Sequence, residues 1–218
     1  MNQDQIKQLN EAVEAVKTRK IENVYFVACG GSKAIFDPAQ FIFDRETTLP
    51  SFVYNANEFI HRCPKGLGEN SLVVTCSHSG NTLETTRATQ LAGDKGALTI
   101  SFSYRVDSPL WKATQHPIYY VWGPESDPGD NNNGMLYRLV FSILNVLQPN
   151  EKYERAIKAC DNLGKVYEAN KAKFAESAKA FGKKYKNNKL IYTMSSGPCY
   201  GVAYSFAICL LQEMQWIH

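Results

Sequence analysis

Short apolar, β-branched runs alternate with segments of helical spacing along most of this chain. Residues 3–19 place Ile6, Leu9, Ala12, Val13 and Val16 at i, i+3 and i+4 positions, which predicts an amphipathic helix docked on another element. Val24–Ala28 and Ser71–Cys76 are continuous apolar runs, the pattern of strands covered on both faces in a parallel sheet. Phe52–Asn55, Ala97–Phe102 and Pro117–Trp122 read as three more strands. Between them, helices are predicted from Ser32 to about Arg45, over Ala56–His61, over about 83–92, after Asp107-Ser108-Pro109 and over Gly134–Leu147. This alternation predicts an α/β fold: a doubly wound, mainly parallel five-stranded sheet with helices on both faces.

Past Leu147 the pattern changes. Residues 152–189 hold eleven Lys or Arg against four Asp or Glu, in a chain whose net charge is +3. Ile157, Cys160, Leu163, Tyr167, Phe174, Ala178, Phe181 and Tyr185 keep helical spacing through that stretch, so the lysines read as the wet face of one or two helices. No interleaving of aromatic with basic residues accompanies the charge, and a nucleic-acid partner is not expected. Leu190–Met194 then reads as a strand, Ser195-Ser196-Gly197 as a turn and Pro198–His218 as a mostly apolar helix. One strand and one helix cannot bury their own faces, so residues 188–218 read as the opening unit of a second, truncated domain. The expected organisation is a first domain over 1–150, connecting helices over 151–187 and that unit.

Composition narrows the class. With 218 residues, 44% of them hydrophobic, the chain can bury a sizeable core. No apolar run reaches the length of about 18 residues that a membrane span needs, and the polar opening Met1-Asn2-Gln3-Asp4-Gln5 carries no signal core, so a cytoplasmic location with no membrane partner is expected. Six scattered cysteines show no CxxC spacing, suggesting neither a zinc site nor a disulfide framework. The acidic stretch Gly123–Asn133 is long for a loop in a compact domain. It reads either as a lid or rim on a cleft or as a tolerated surface insertion.

Two turns carry candidate chemistry. Ser77-His78-Ser79-Gly80-Asn81-Thr82 lies between a strand and a helix, where hydroxyls, a close-approach glycine and free helix N–H groups together suit a phosphate monoester. An ordinary helix cap would use the same residue types. Gly30-Gly31-Ser32 repeats the design after the first strand. It is neither the spaced-glycine dinucleotide fingerprint nor a lysine-bearing P-loop. Two such loops at strand carboxyl ends of one sheet mark the place where α/β sheets bind ligands. In the last helix Glu213 stands among apolar residues, where desolvation would favour a proton-transferring carboxyl, or else it faces water at the helix end.

Val27-Ala28-Cys29-Gly30-Gly31-Ser32, Ser77–Thr82 with Glu84-Thr85, and Glu213-Met214-Gln215-Trp216-Ile217-His218 resemble the sugar isomerase (SIS) family. The likeness is to its double-domain branch, which includes fructosamine-6-phosphate deglycases and the isomerase half of glucosamine-6-phosphate synthase, with a flavodoxin-like fold. The resemblance implies that Gly31, Ser32, Ser77, His78, Ser79 and Thr82 form the sugar-phosphate site, His78 standing where relatives often carry Gln. It implies that Glu213 moves a proton between C1 and C2, turning a ketosamine into an enaminol from which water releases glucose 6-phosphate and the amine. No metal or organic cofactor is required, and a homodimer is implied. Relatives continue past this point to a catalytic histidine, which makes impaired turnover an expectation for this chain. A phosphosugar-sensing module without turnover is the other reading, since it needs only the two loops.

Overall fold

Strands β1 (Asn23–Ala28), β2 (Ser51–Asn55), β3 (Ser71–Cys76), β4 (Leu98–Ser103) and β5 (His116–Tyr119) form one sheet in the order β2-β1-β3-β4-β5. Every pairing is parallel, and the register sets Ala28 of β1 beside Cys76 of β3. The computed structural model describes residues 1–124 and 126–217. Glu125 of the acidic loop and His218 of the last motif lie outside the described residues.

Alternation along the strands divides the core in two. Val24, Phe26, Leu72, Val74, Ile100 and Phe102 point to the face covered by α1 (Gln3–Lys17), α3 (Phe36–Glu46) and α7 (Asn132–Leu147). Tyr25, Val27 and Val73 point to the opposite face, under α4 (Ala56–Arg62) and α5 (Leu83–Asp94). Central strands buried on both faces are what a parallel sheet requires.

Each predicted strand of the sheet is present, with shifts at the ends. Strand β5 stops at Tyr119, and Trp122 projects beyond it, 58% exposed. The helix after Ser32 is split into α2 (Gly30–Ala34) and α3. Pro38 causes the split, because its ring clashes with the carbonyl of the residue four back, which is Ala34. In α1 the inward positions are Gln5, Leu9, Ala12 and Val16, while Ile6 is exposed. Gln5 and Gln8 serve the sheet edge: Gln5 Nε2 donates to the carbonyls of Tyr119 (3.4 Å) and Asp130 (3.3 Å), and Gln8 Oε1 accepts from Tyr119 N (2.8 Å). Edge strands leave main-chain groups open, and here side chains close them.

Two readings of the last third need correction. Leu190–Met194 pairs with no strand, and Tyr192 and Met194 are almost fully exposed, because no neighbouring strand offers the segment hydrogen bonds. The apolar helix predicted from Pro198 is a 3-10 turn (Gly197–Cys199), α10 (Tyr200–Ser205) and a π-helical stretch, Phe206–Met214. Before it run α8 (Glu151–Ala159) and α9 (Leu163–Tyr185), and α9 has no buried residue. Among the described residues no helix is long and apolar enough to cross a membrane.

Candidate functional site

The order of the strands reverses between β1 and β3, so the loops following these two strands open side by side at the carboxyl edge of the sheet. This is the switch point at which open α/β sheets leave a crevice. Gly30-Gly31-Ser32 leaves β1 and Ser77–Thr82 leaves β3, so the topology brings together the two turns singled out in the sequence.

Hydrogen bonds hold the loops to each other and to the sheet. Burial pushes the pKa of the Cys76 thiol up to about 12, with Ser32 acting in the opposite sense. Cys76 is therefore a neutral thiol rather than a nucleophile. Thr85 Oγ1 reaches the Cys29 sulfur at 3.9 Å. Ser77 is buried, its amide donating to the carbonyl of Phe102 (3.1 Å) and its hydroxyl sharing a 2.8 Å bond with Thr82 Oγ1. It thus braces Thr82 from behind. Gly80 has φ +68°, and a Cβ there would collide with the Ser108 side chain, so the turn requires glycine.

The bond between Ser77 and Thr82 has a further effect. Asn2, Asn55, Ser108 at the head of α6 (Pro109–Ala113), Asn131 and Asn150 each cap their helices with a side chain that accepts a backbone N–H. Thr82, the N-cap of α5, makes no such bond because its hydroxyl is turned to Ser77. Cys29 leaves α2 uncapped as well. The first-turn N–H groups of the 12-residue α5 consequently stay open at the positive end of its dipole, beside the hydroxyls of Ser79 and Thr82. An anion is the natural ligand for such an end.

His78 is fixed in an aromatic cluster absent from the sequence reading. Its ring stacks on Tyr104 (centroids 5.0 Å apart, 13° between planes) and meets Trp122 edge-on at 4.9 Å. Its Nδ1 lies 2.9 Å from the Tyr120 hydroxyl. Burial raises the Tyr120 pKa, keeping it a neutral phenol. A fully buried phenol needs an acceptor for its proton, so Tyr120 donates to Nδ1 and the proton of neutral His78 sits on Nε2. Partial burial, then the charge of Arg105, lowers the His78 pKa and favours that neutral form. The signal available in the sequence was Tyr120, a hydroxyl set inside an apolar run.

The last helix approaches the first loop through Cys209, whose sulfur would lie 3.1 Å from a Cβ on Gly31. Glu213 stands about one helical turn beyond Cys209 and is exposed. Of the two environments left open for it, water is the one found. The acidic loop forms a rim, pinned by Asp127 (Oδ1 to Gly129 N, 2.6 Å) and by Arg138 Nε on the Gly129 carbonyl (3.5 Å). Among the described residues no cluster of His, Cys, Asp and Glu could hold a metal ion.

Strand order, open helix ends and hydroxyl loops define an α/β protein whose two hydroxyl-bearing turns meet at its switch point. The chain belongs to the SIS domain family, whose model matches residues 17–148. It is 48% identical to the fructosamine deglycase FrlB of Bacillus subtilis (strain 168) over 97% of this chain and 65% of that protein. It is 28% identical to the fructoselysine 6-phosphate deglycase of Escherichia coli (strain K12), over 94% of this chain and 60% of that protein. A crystal structure from Bacillus subtilis described as a phosphosugar isomerase superposes with a TM-score of 0.95 at 47% identity, covering all of this chain and 68% of that one. The chain thus spans about two thirds of the length of its relatives.

Proposed function

We propose that this chain binds the phosphate of a fructosamine 6-phosphate in the cradle between β1 and β3, and serves a deglycase that converts the ketosamine to glucose 6-phosphate and a free amine. The open N-terminus of α5 carries the reading, because Ser77 holds back the one hydroxyl that would otherwise have capped it. The 48% identity to a fructosamine deglycase supports the choice of substrate. Ser32, Ser79, Thr82 and the α5 amides hold the phosphate, Gly31 lets the main chain approach it, and the Nε2–H of His78 donates to the sugar phosphate. Glu213 takes the C1 proton and returns it at C2, passing through the enaminol to an imine at C1. Water adds to that imine, and the amine leaves as the aldehyde of glucose 6-phosphate forms.

The domain division proposed from the sequence is supported by a repeated local feature. Gly30, Gly80 and Gly197, each in a hydroxyl-bearing turn, all have positive φ (+53°, +68° and +58°). Residues 188–218 are thereby read as the opening unit of a second SIS domain. A homodimer is part of the same proposal, supported by the exposed Phe174 and Phe181 on one face of α9. Light scattering on the purified chain tests it, and a monomer at micromolar concentration sinks it.

Thermal unfolding with fructose 6-phosphate, glucose 6-phosphate and inorganic phosphate tests the cradle. Ligand at 100 times its Kd adds about 2.7 kcal/mol, roughly 5–10 °C at this size. A rise specific to the sugar phosphates is expected, and no rise with either refutes the site. Release of glucose 6-phosphate from fructoselysine 6-phosphate tests the chemistry. Glu213→Gln is expected to abolish that release with the melting temperature unchanged, since Glu213 is exposed.

A further inference from the structure

A neutral imidazole has two nitrogens and one proton, so His78 can offer a ligand either a donor or a bare acceptor. The hydroxyls of Ser79 and Thr82 turn to do both. A phosphate dianion presents only acceptors, and a bare imidazole nitrogen would repel it. Which nitrogen carries the proton is set by the partner of the other one. Here that partner is the Tyr120 hydroxyl, 2.9 Å from Nδ1.

Two neighbouring segments fix the ring in this pose. Tyr104, on the turn after β4, stacks on the imidazole, and its amide donates to the His78 carbonyl (3.1 Å). Trp122, past the end of β5, meets the ring edge-on. Tyr120 is itself held, its amide donating to the Ser103 carbonyl (3.3 Å) and its side chain packed in the core. Turning the imidazole over would put Cδ2 where Nδ1 stands and leave a fully buried hydroxyl without an acceptor. Arg105 is the charged side chain acting on the ring, and it disfavours a second proton there. His78 as a residue is exposed, so Nε2 is the nitrogen left for a ligand.

We propose that Tyr120 is a positioning residue of the phosphate site: it acts on the sugar phosphate through His78, occupying Nδ1 so that Nε2 always carries the proton offered to the ligand. The inference rests on the function proposed above, in which that N–H donates to the sugar phosphate. Tyr120 is 0% exposed and lies out of a ligand's reach, so its whole influence passes through the imidazole.

Two measurements test it. The first is nuclear magnetic resonance of the imidazole nitrogens at neutral pH, with the His78 signals identified by their loss in His78→Ala. The wild-type chain is expected to show the proton on Nε2 alone, and Tyr120→Phe to share it between the two nitrogens. The second is a calorimetric titration with fructose 6-phosphate across a double-mutant cycle. Tyr120→Phe, which keeps the buried ring, is expected to weaken binding on the order of tenfold, the loss of most of one hydrogen bond to a charged group. In a His78→Ala background the same change is expected to alter affinity by no more than roughly twofold, because nothing is left for the phenol to orient. A proton on Nδ1 of His78 in the wild-type chain would overturn the role. So would equal losses in the two backgrounds, which mark a phenol that serves only the fold, or no loss in either. Each of those results, with fructose 6-phosphate still bound by the wild-type chain, leaves the cradle standing. Absence of that binding would overturn the cradle and this role together.

Discussion

The turns after β1 and β3 and the turn at Ser195-Ser196-Gly197 are written with the same residues, yet they meet opposite fates. The first two leave central strands, and each is tied to the other or to the sheet through Cys29, Thr85, Ser77 and Thr82. The third follows an unpaired segment in which Tyr192 and Met194 are bare. A hydroxyl-glycine turn is held in a fixed place when a buried strand aims it and a helix starts behind it. Without the strand it is only a turn.

The contrast can be broken most forcefully in the sheet. Ile100→Ala, at a fully buried position of β4, is expected to cost about 2–5 kcal/mol, read from a denaturant titration. Phe181→Ala, on a side chain of α9 that is 46% exposed, should stay within about 0.5 kcal/mol at dilutions where the chain is monomeric. Equal costs would show that α9 is covered in solution.

Next in size is the turn itself. Gly80→Ala places a methyl at φ +68° against Ser108, and strain with overpacking together should remove about 2–5 kcal/mol and the sugar-phosphate thermal shift with it. The opposite sign is expected for Gly182→Ala in α9, where the added methyl meets nothing, with a gain of about 0.5–1 kcal/mol. Differential scanning calorimetry reads both. Ser77→Ala is milder, about 1 kcal/mol for the lost bond to Thr82. It frees Thr82 to cap α5, so the thermal shift with fructose 6-phosphate should shrink by more than the stability loss accounts for.

The smallest effect is a pH dependence. His78 and His116 both titrate below the ordinary histidine value of 6.5, each chiefly through burial. Protonation therefore favours the unfolded chain. Their contribution is intact above pH 6.5 and is lost as the pH falls from there through their folded values. The melting temperature should drop across that window, and His78→Gln should make the drop shallower. An unchanged slope would mean that the stacked imidazole on Tyr104 is not held neutral.

Much of this was legible in the order of residues. Apolar runs such as Ser71–Cys76 mark their strands because a strand covered on both faces can tolerate little else, and the loops at their ends follow at once. Gln5 was not legible: its inward turn depends on carbonyls of Tyr119 and Asp130, more than a hundred residues away. The aromatic cluster around His78 escaped notice for the same reason, drawing on β3, on the turn after β4 and on the end of β5.

By itself the sequence determined the five strands, their helices and the two hydroxyl loops, because periodicity and turn chemistry act between near neighbours in the chain. Tertiary structure alone decided that β1 and β3 lie side by side, that Thr82 turns from its helix to Ser77, and that Trp122 meets the His78 ring edge-on. Those outcomes depend on which segments meet across the sheet, and only the packed core selects them.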